Sequence, residues 1–217
     1  MFMRTIAGTH GLDGDFLFFN QCYMVQIINW RSIHCLPLES PPWVINLFHA
    51  KDSLVRTIEK IRQDLSIQVE IIEQNLSLYS DIIIIQRKSI LFSDPHGPLY
   101  YSCLKAAIDI RDNLINLTPL FQYPWSTFVT MNHLQMGRTP TKWDYISIPA
   151  LSIRLNIPLS NKYWCLYSLL HGLDDNDNEL VSGHVAEFFI PDQLERLLSL
   201  PCPQHIIPFD HVIQSNV

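Results

Sequence analysis

Ile82-Ile83-Ile84-Ile85-Gln86-Arg87-Lys88-Ser89-Ile90-Leu91-Phe92, then Ser93-Asp94-Pro95-His96-Gly97-Pro98, then the largely apolar run from Leu99 to Ile108, is the stretch that decides the fold class. Branched and aromatic residues dominate the two outer runs, as a pleated and buried surface requires. The segment between them is dense in proline, glycine, aspartate and serine, the chemistry of a reversing turn. The stretch reads as an antiparallel hairpin whose first strand is interrupted by Gln86-Arg87-Lys88.

Working outward, Ile67, Val69 and Ile71 alternate with Gln68, Glu70 and Ile72, a half-buried strand just upstream. Tyr163 to His171 and Glu179 to Ile190 form a second strand pair, joined by Gly172-Leu173-Asp174-Asp175-Asn176-Asp177-Asn178. Pro41-Pro42 sets a helix start, with Trp43, Leu47 and Phe48 at helical spacing over 42–50. Asp52 or Ser53 then offers a cap for a helix whose stripe is Leu54, Ile58, Ile61 and Leu65. Pro191-Asp192 opens a last short helix over Gln193 to Leu198, and residues 109–158 read as helical or irregular. Strands arriving as hairpins predict an α+β domain, an antiparallel sheet with helices on one side.

The length of 217 residues suits a single domain with a sizeable core, since 47% of the residues are apolar and only 17% charged. Residues 1–35 are set apart as an N-terminal extension, 36–200 as the domain and 201–217 as a tail. Gly8, Gly11 and Gly14 do not make a dinucleotide fingerprint, because neither a convincing strand nor an amphipathic helix flanks them. Fifteen basic against 21 acidic side chains leave a net charge of −6, which argues against a nucleic-acid backbone as partner. The apolar stretch Phe16 to Ile28 is broken by Asn20, Gln21 and Gln26, too short for a membrane span. The start also lacks a basic segment followed by an apolar one. A soluble cytoplasmic or organellar monomer is expected. The five cysteines are widely spaced with no Cys-x-x-Cys pair, so free thiols in a reducing compartment are expected.

No nucleophile elbow, phosphate loop or His-Glu-x-x-His occurs, which removes the common hydrolase, NTPase and zincin chemistries. Asp174 to Asn178 lacks the glycine and the glutamate of a calcium loop and reads as a solvated turn. His184 and Glu187 are three apart on a strand, hence on opposite faces, and no metal is expected. Arg87 and Glu187 stand out because each is a charge set within a strand that otherwise reads as core. Two readings are open: outward residues on the solvent side of the sheet, or an interior pair facing one pocket. In the second, Arg87 would hold a carboxylate through paired hydrogen bonds, and Glu187 would accept from a hydroxyl or move a proton.

At these residues the sequence resembles the chorismate lyase family, and especially its members from cyanobacteria and red-algal plastids. The resemblance is carried by Trp43 to Leu47 with Asp52 to Val55, by Val69 to Gln74, by Gln86 to Phe92, by Met136-Gly137-Arg138-Thr139-Pro140, and by Ala186 to Pro191. It implies a six-stranded sheet with helices over an enclosed ligand cavity, and conversion of chorismate to 4-hydroxybenzoate and pyruvate without cofactor or metal. It further implies that Arg87 and Glu187 are catalytic and bind substrate. Leu54 would offer a backbone N–H to a carboxylate, and Thr141 would stand where a leucine lines the cavity. Thr141-Lys142, Val55 and Lys88 depart from the family's pattern and bear on the pocket's shape. Two alternatives stand beside the lyase: a non-catalytic module binding an aromatic carboxylate on the same fold, and a structural protein that has lost the pocket.

Overall fold

A computed structural model of the chain describes residues 28–51, 53–94, 96–111 and 115–199. Among these residues seven antiparallel strands form one sheet in the order β1-β5-β6-β7-β4-β3-β2. They are β1 Arg31–Ser32, β2 Gln68–Tyr79, β3 Ile82–Ser93, β4 Gly97–Asp109, β5 Gln135–Ser147, β6 Lys162–Leu173 and β7 Glu179–Phe189. Five helices accompany them among the described residues: α1 Pro42–Phe48, α2 Leu54–Ile61, α3 Trp125–Met131, α4 Pro149–Leu155 and α5 Pro191–Ser199. This is the expected α+β architecture, with the two-residue β1 added to six long strands. Residues 1–27 and the expected tail lie outside the described residues.

The strand that decides the fold runs unbroken through its polar centre. Alternate residues point to opposite faces, so Ile83, Ile85, Arg87, Ser89 and Leu91 go inward and are buried while Gln86 and Lys88 go outward and are half-buried. The half-buried strand expected over 67–72 is only the start of β2. A register shift between Ile71 and Glu73 breaks its alternation there, after which β2 continues to Tyr79. A two-residue turn, Ser80-Asp81, returns the chain into β3, with Ser80 at φ 55° in the left-handed backbone that such turns need.

Two expectations are corrected. Part of the segment read as helical or irregular is β5, whose residues lack an alternating apolar pattern because it lies near the sheet edge. It pairs along its length with β6 but meets β1 only at Trp143 and Lys142, and Pro140 sits at its register shift. The helices also lie on both faces. On the inner face α1, α2 and α5 share a cluster that includes Phe48, Ile58, Phe189 and Leu194, and α3 packs Phe128 and Val129 over Ile85, Leu104 and Val185. On the outer face α4 places Leu151 and Leu155 against Tyr101, Cys103, Tyr163 and Phe188. The consecutive burial of Val185 to Phe189 in β7 reflects a strand covered on both sides.

The helix starts are local chemistry. Pro42 at the first position of α1 has no N–H to leave unpaired and a backbone angle already set for a helix. In α2 Leu54, Val55 and Ile58 are buried, whereas Ile61 is half-exposed and ends the stripe early. The Asp174 carboxylate accepts from the backbone N–H groups of Asn176 and Asn178, closing the β6–β7 turn. Cys35 and Cys165 are free thiols, Cys103 is buried, and Cys22 and Cys202 lie outside the described residues.

Candidate functional site

A cavity lies on the inner face, between the sheet and the starts of two helices. Cross-strand register builds its floor: Ser89, Ser102 and Glu187 stand side by side on β3, β4 and β7, and Arg87, Leu104 and Val185 form the next row. Ser53, Leu54 and Val55 at the start of α2 form one wall, and Pro124, Trp125 and Ser126 at the start of α3 another. Met136 and Arg138 of β5 close the far side. The volume is about 50 Å³, room for roughly three to five waters at 10–15 Å³ each.

Arg87 is 2% exposed. Its guanidinium donates to the carbonyls of Leu120 (3.2 Å) and Tyr123 (2.8 Å), while its Nε has no hydrogen-bond partner. Both acceptors are neutral, so the positive charge is hydrogen-bonded but not compensated. Burial pushes its pKa down to about 10, which leaves it fully charged at neutral pH.

Glu187 is 6% exposed, and its Oε2 accepts from Arg138 at 2.6 Å. Burial pushes the Glu187 carboxyl up, and the Arg138 guanidinium pulls against that rise without cancelling it. Arg138 also donates to the carbonyls of Leu47 and Ala50, each at 3.3 Å, and its backbone N–H donates to Lys51. One side chain thus joins the cavity's carboxylate to the turn between α1 and α2. Among the described lining residues the charges sum to one net positive, carried by Arg87 beside the Arg138–Glu187 pair.

Two further features favour an anion or a hydroxyl. The first-turn N–H groups of α2, Leu54 among them, have no acceptor within the helix, and the Ser53 side chain makes no cap hydrogen bond to them. Asp52, the other expected cap, lies outside the described residues. Tyr100 also lines the cavity, with burial first and the Glu187 charge second pushing its phenol well above the ordinary range. It is a neutral hydroxyl at any ordinary pH.

Of the residues singled out in the sequence, Arg87, Glu187 and Leu54 line this one cavity. Thr141 is not among the residues that line it. It falls at the register shift of β5 between Pro140 and Lys142, where its hydroxyl donates to the Tyr167 carbonyl. In the sequence Arg138 stands only as part of a motif. Its burial becomes visible only with the strand itself: β5 turns Arg138 inward, whereas along the sequence Arg138 stands among polar residues with no apolar run to mark it as an exception. Among the described residues no three His, Cys, Asp or Glu side chains are grouped to hold a metal.

No family model and no curated protein matches the chain. The motif resemblance to chorismate lyases therefore has no match over the whole sequence behind it. Solved structures do resemble it. The effector domain of PhnF from Mycobacterium smegmatis is 10% identical over 65% of this chain and 90% of its own, with a TM-score of 0.44. A possible transcriptional regulator, YydK, from Bacillus subtilis is 10% identical over 60% of each chain, with a TM-score of 0.43. A GntR-family transcriptional regulator from Enterococcus faecalis is 12% identical over 58% of this chain and 94% of its own, at a TM-score of 0.39. The likeness is one of coarse architecture.

Proposed function

We propose that the cavity binds a small aromatic or cyclic carboxylate. The observation that carries this reading is Arg87, a buried cation held by two neutral carbonyls with an idle Nε beside the cavity. A ligand carboxylate supplies the missing countercharge through Arg87 and the Leu54 N–H. Its ring lies among Leu91, Leu104 and Val185, and a ring hydroxyl meets the Glu187 oxygen that Arg138 leaves unbound. The space in this form of the molecule is smaller than such a ring, so entry requires α2 or the segment before α3 to move. A hydrogen bond from the Arg56 guanidinium in α2 to the Thr130 hydroxyl in α3 ties α2 to the helix that this segment leads into.

The catalytic reading asks more of the same residues: positioning of chorismate so that the enolpyruvyl ether breaks as the ring becomes aromatic. It is favoured by Glu187, a carboxyl raised by burial next to the space where a ring would lie. Calorimetric titration with 4-hydroxybenzoate, and incubation with chorismate while pyruvate is followed, test the two readings separately. Binding without pyruvate leaves a binding module. Pyruvate release that Arg87→Ala abolishes and Glu187→Ala strongly reduces makes the protein a lyase. Absence of binding by either compound, with the protein folded, removes this ligand class.

A further inference from the structure

The two edges of the sheet are built differently. Beside one edge, β5 carries Pro140, a register shift and the charges of Lys142 and Asp144, and β1 covers part of it. Proline, irregular register and charge are the usual means of keeping an edge from pairing. The other edge is β2, twelve residues long, with no strand on its outer side among the described residues. Its first half has the same protection, a register shift between Ile71 and Glu73 together with Glu70 and Glu73. Its second half, Gln74-Asn75-Leu76-Ser77-Leu78-Tyr79, has no charge, no proline and no glycine. Leu76, Leu78 and Tyr79 there are 41%, 66% and 65% exposed.

We propose that this half of β2 pairs antiparallel with the same segment of a second copy of the chain, joining two sheets into one. When a strand pairs with its own copy, side chains on one face must meet side chains on that same face, so the two-fold axis passes through a residue. Placed at Leu76, the axis sets Leu76 against Leu76 of the second copy, Gln74 against Leu78 and Asn75 against Ser77, and leaves Glu70 outside the paired stretch. Placed at Ser77, it sets Glu73 against Asp81, two like charges. Placed at Asn75, it draws the irregular turn of strand at Ile71–Glu73 into the pairing. Leu76 and Leu78 register with Ile85 and Ile83, members of an inner-face core cluster. Pairing therefore extends an existing apolar surface across the new seam, and it replaces the monomer expected from the sequence. None of this depends on what the cavity binds.

Sedimentation velocity of the full chain from about 1 to about 100 µM tests it, a range in which standard-sized interfaces separate from chance contacts. The expected result is a species of twice 25.2 kDa, with Leu76→Lys and Leu78→Lys each weakening association at least about tenfold and leaving the melting temperature of the monomer unchanged. Mild oxidation of Leu76→Cys should crosslink two chains at the pairing centre, where facing Cα atoms lie about 4.5–5.5 Å apart. Tyr79→Cys, which faces Glu73 in this register, should crosslink no more than the wild-type chain. A monomer throughout the range overturns the proposal, including the case in which another segment of this chain fills the edge. A dimer that survives both lysine variants overturns it equally.

Discussion

Replacing Arg87 by methionine separates what the arginine does for the fold from what it does for a ligand. Lowering its pKa to about 10 by burial corresponds to roughly 3 kcal/mol held in the buried cation. Methionine removes that burden and also removes hydrogen bonds to Leu120 and Tyr123, each worth about 1.5–3 kcal/mol when the donor is charged. Tyr123 is exposed, so water can reach its carbonyl. The opposing effects nearly cancel, and unfolding free energy should change by less than about 2 kcal/mol. Binding should not be spared: truncating one partner of a buried charge pair costs about 2–5 kcal/mol, or roughly 30-fold or more in affinity. In the wild type, ligand at about 100 times its dissociation constant adds about 2.7 kcal/mol of stability. The same concentration should leave the Arg87→Met melting curve nearly where it was. Calorimetry gives the affinity and urea denaturation the stability. An Arg87→Met protein that binds within about threefold of wild type refutes the assignment of Arg87 as the carboxylate anchor.

Arg138→Gln strands the Glu187 carboxylate and should destabilise the fold by about 3–5 kcal/mol, whereas the double change with Glu187→Gln should recover much of the loss; urea midpoints of the three variants check this. Gly183→Ala should cost about 1–3 kcal/mol, because its Cβ would fall 2.5 Å from the Lys105 carbonyl oxygen and 2.8 Å from the Ala106 Cα, backbone atoms that cannot step aside. Asp109, Glu73 and Asp174 are held below the usual carboxylate range, first by side-chain hydrogen bonds from Arg111, Lys88 and Asn178. Their unfolded forms take up protons first as pH falls, so this stability is present above the ordinary value and is lost as pH drops through the folded one. Glu187 has the opposite sign: with its carboxyl raised, its contribution is present in acid and lost as pH rises through the raised value. Asp109→Asn should therefore shrink the loss of urea midpoint between about pH 5 and about pH 2, and an unchanged acid limb would contradict the Arg111 interaction.

The hairpins were legible because β3 with β4, and β6 with β7, carry dense apolar runs separated by turn residues. The strand that escaped, β5, has Gly137, Pro140 and three charged residues in thirteen, a composition that a place near the edge tolerates and that no periodic pattern announces. The second helical layer escaped for a related reason. A strand covered on both faces loses the alternation that would reveal how many faces are covered, so Val185 to Phe189 reads only as apolar.

The α+β class, the antiparallel pairing and the helices near 42–50 and after Ser53 could be read from the sequence, because each rests on neighbours along the chain: period, turn chemistry and a proline at a helix start. The sequence also marked Arg87 and Glu187 as costly charges. Only the tertiary structure decided that the two face one cavity, that Arg138 holds Glu187 and that Thr141 stands apart. The physical reason is that Arg138 lies 49 residues from Glu187 along the chain, and strand order across the sheet, together with the register shift in β5, sets which distant side chains meet.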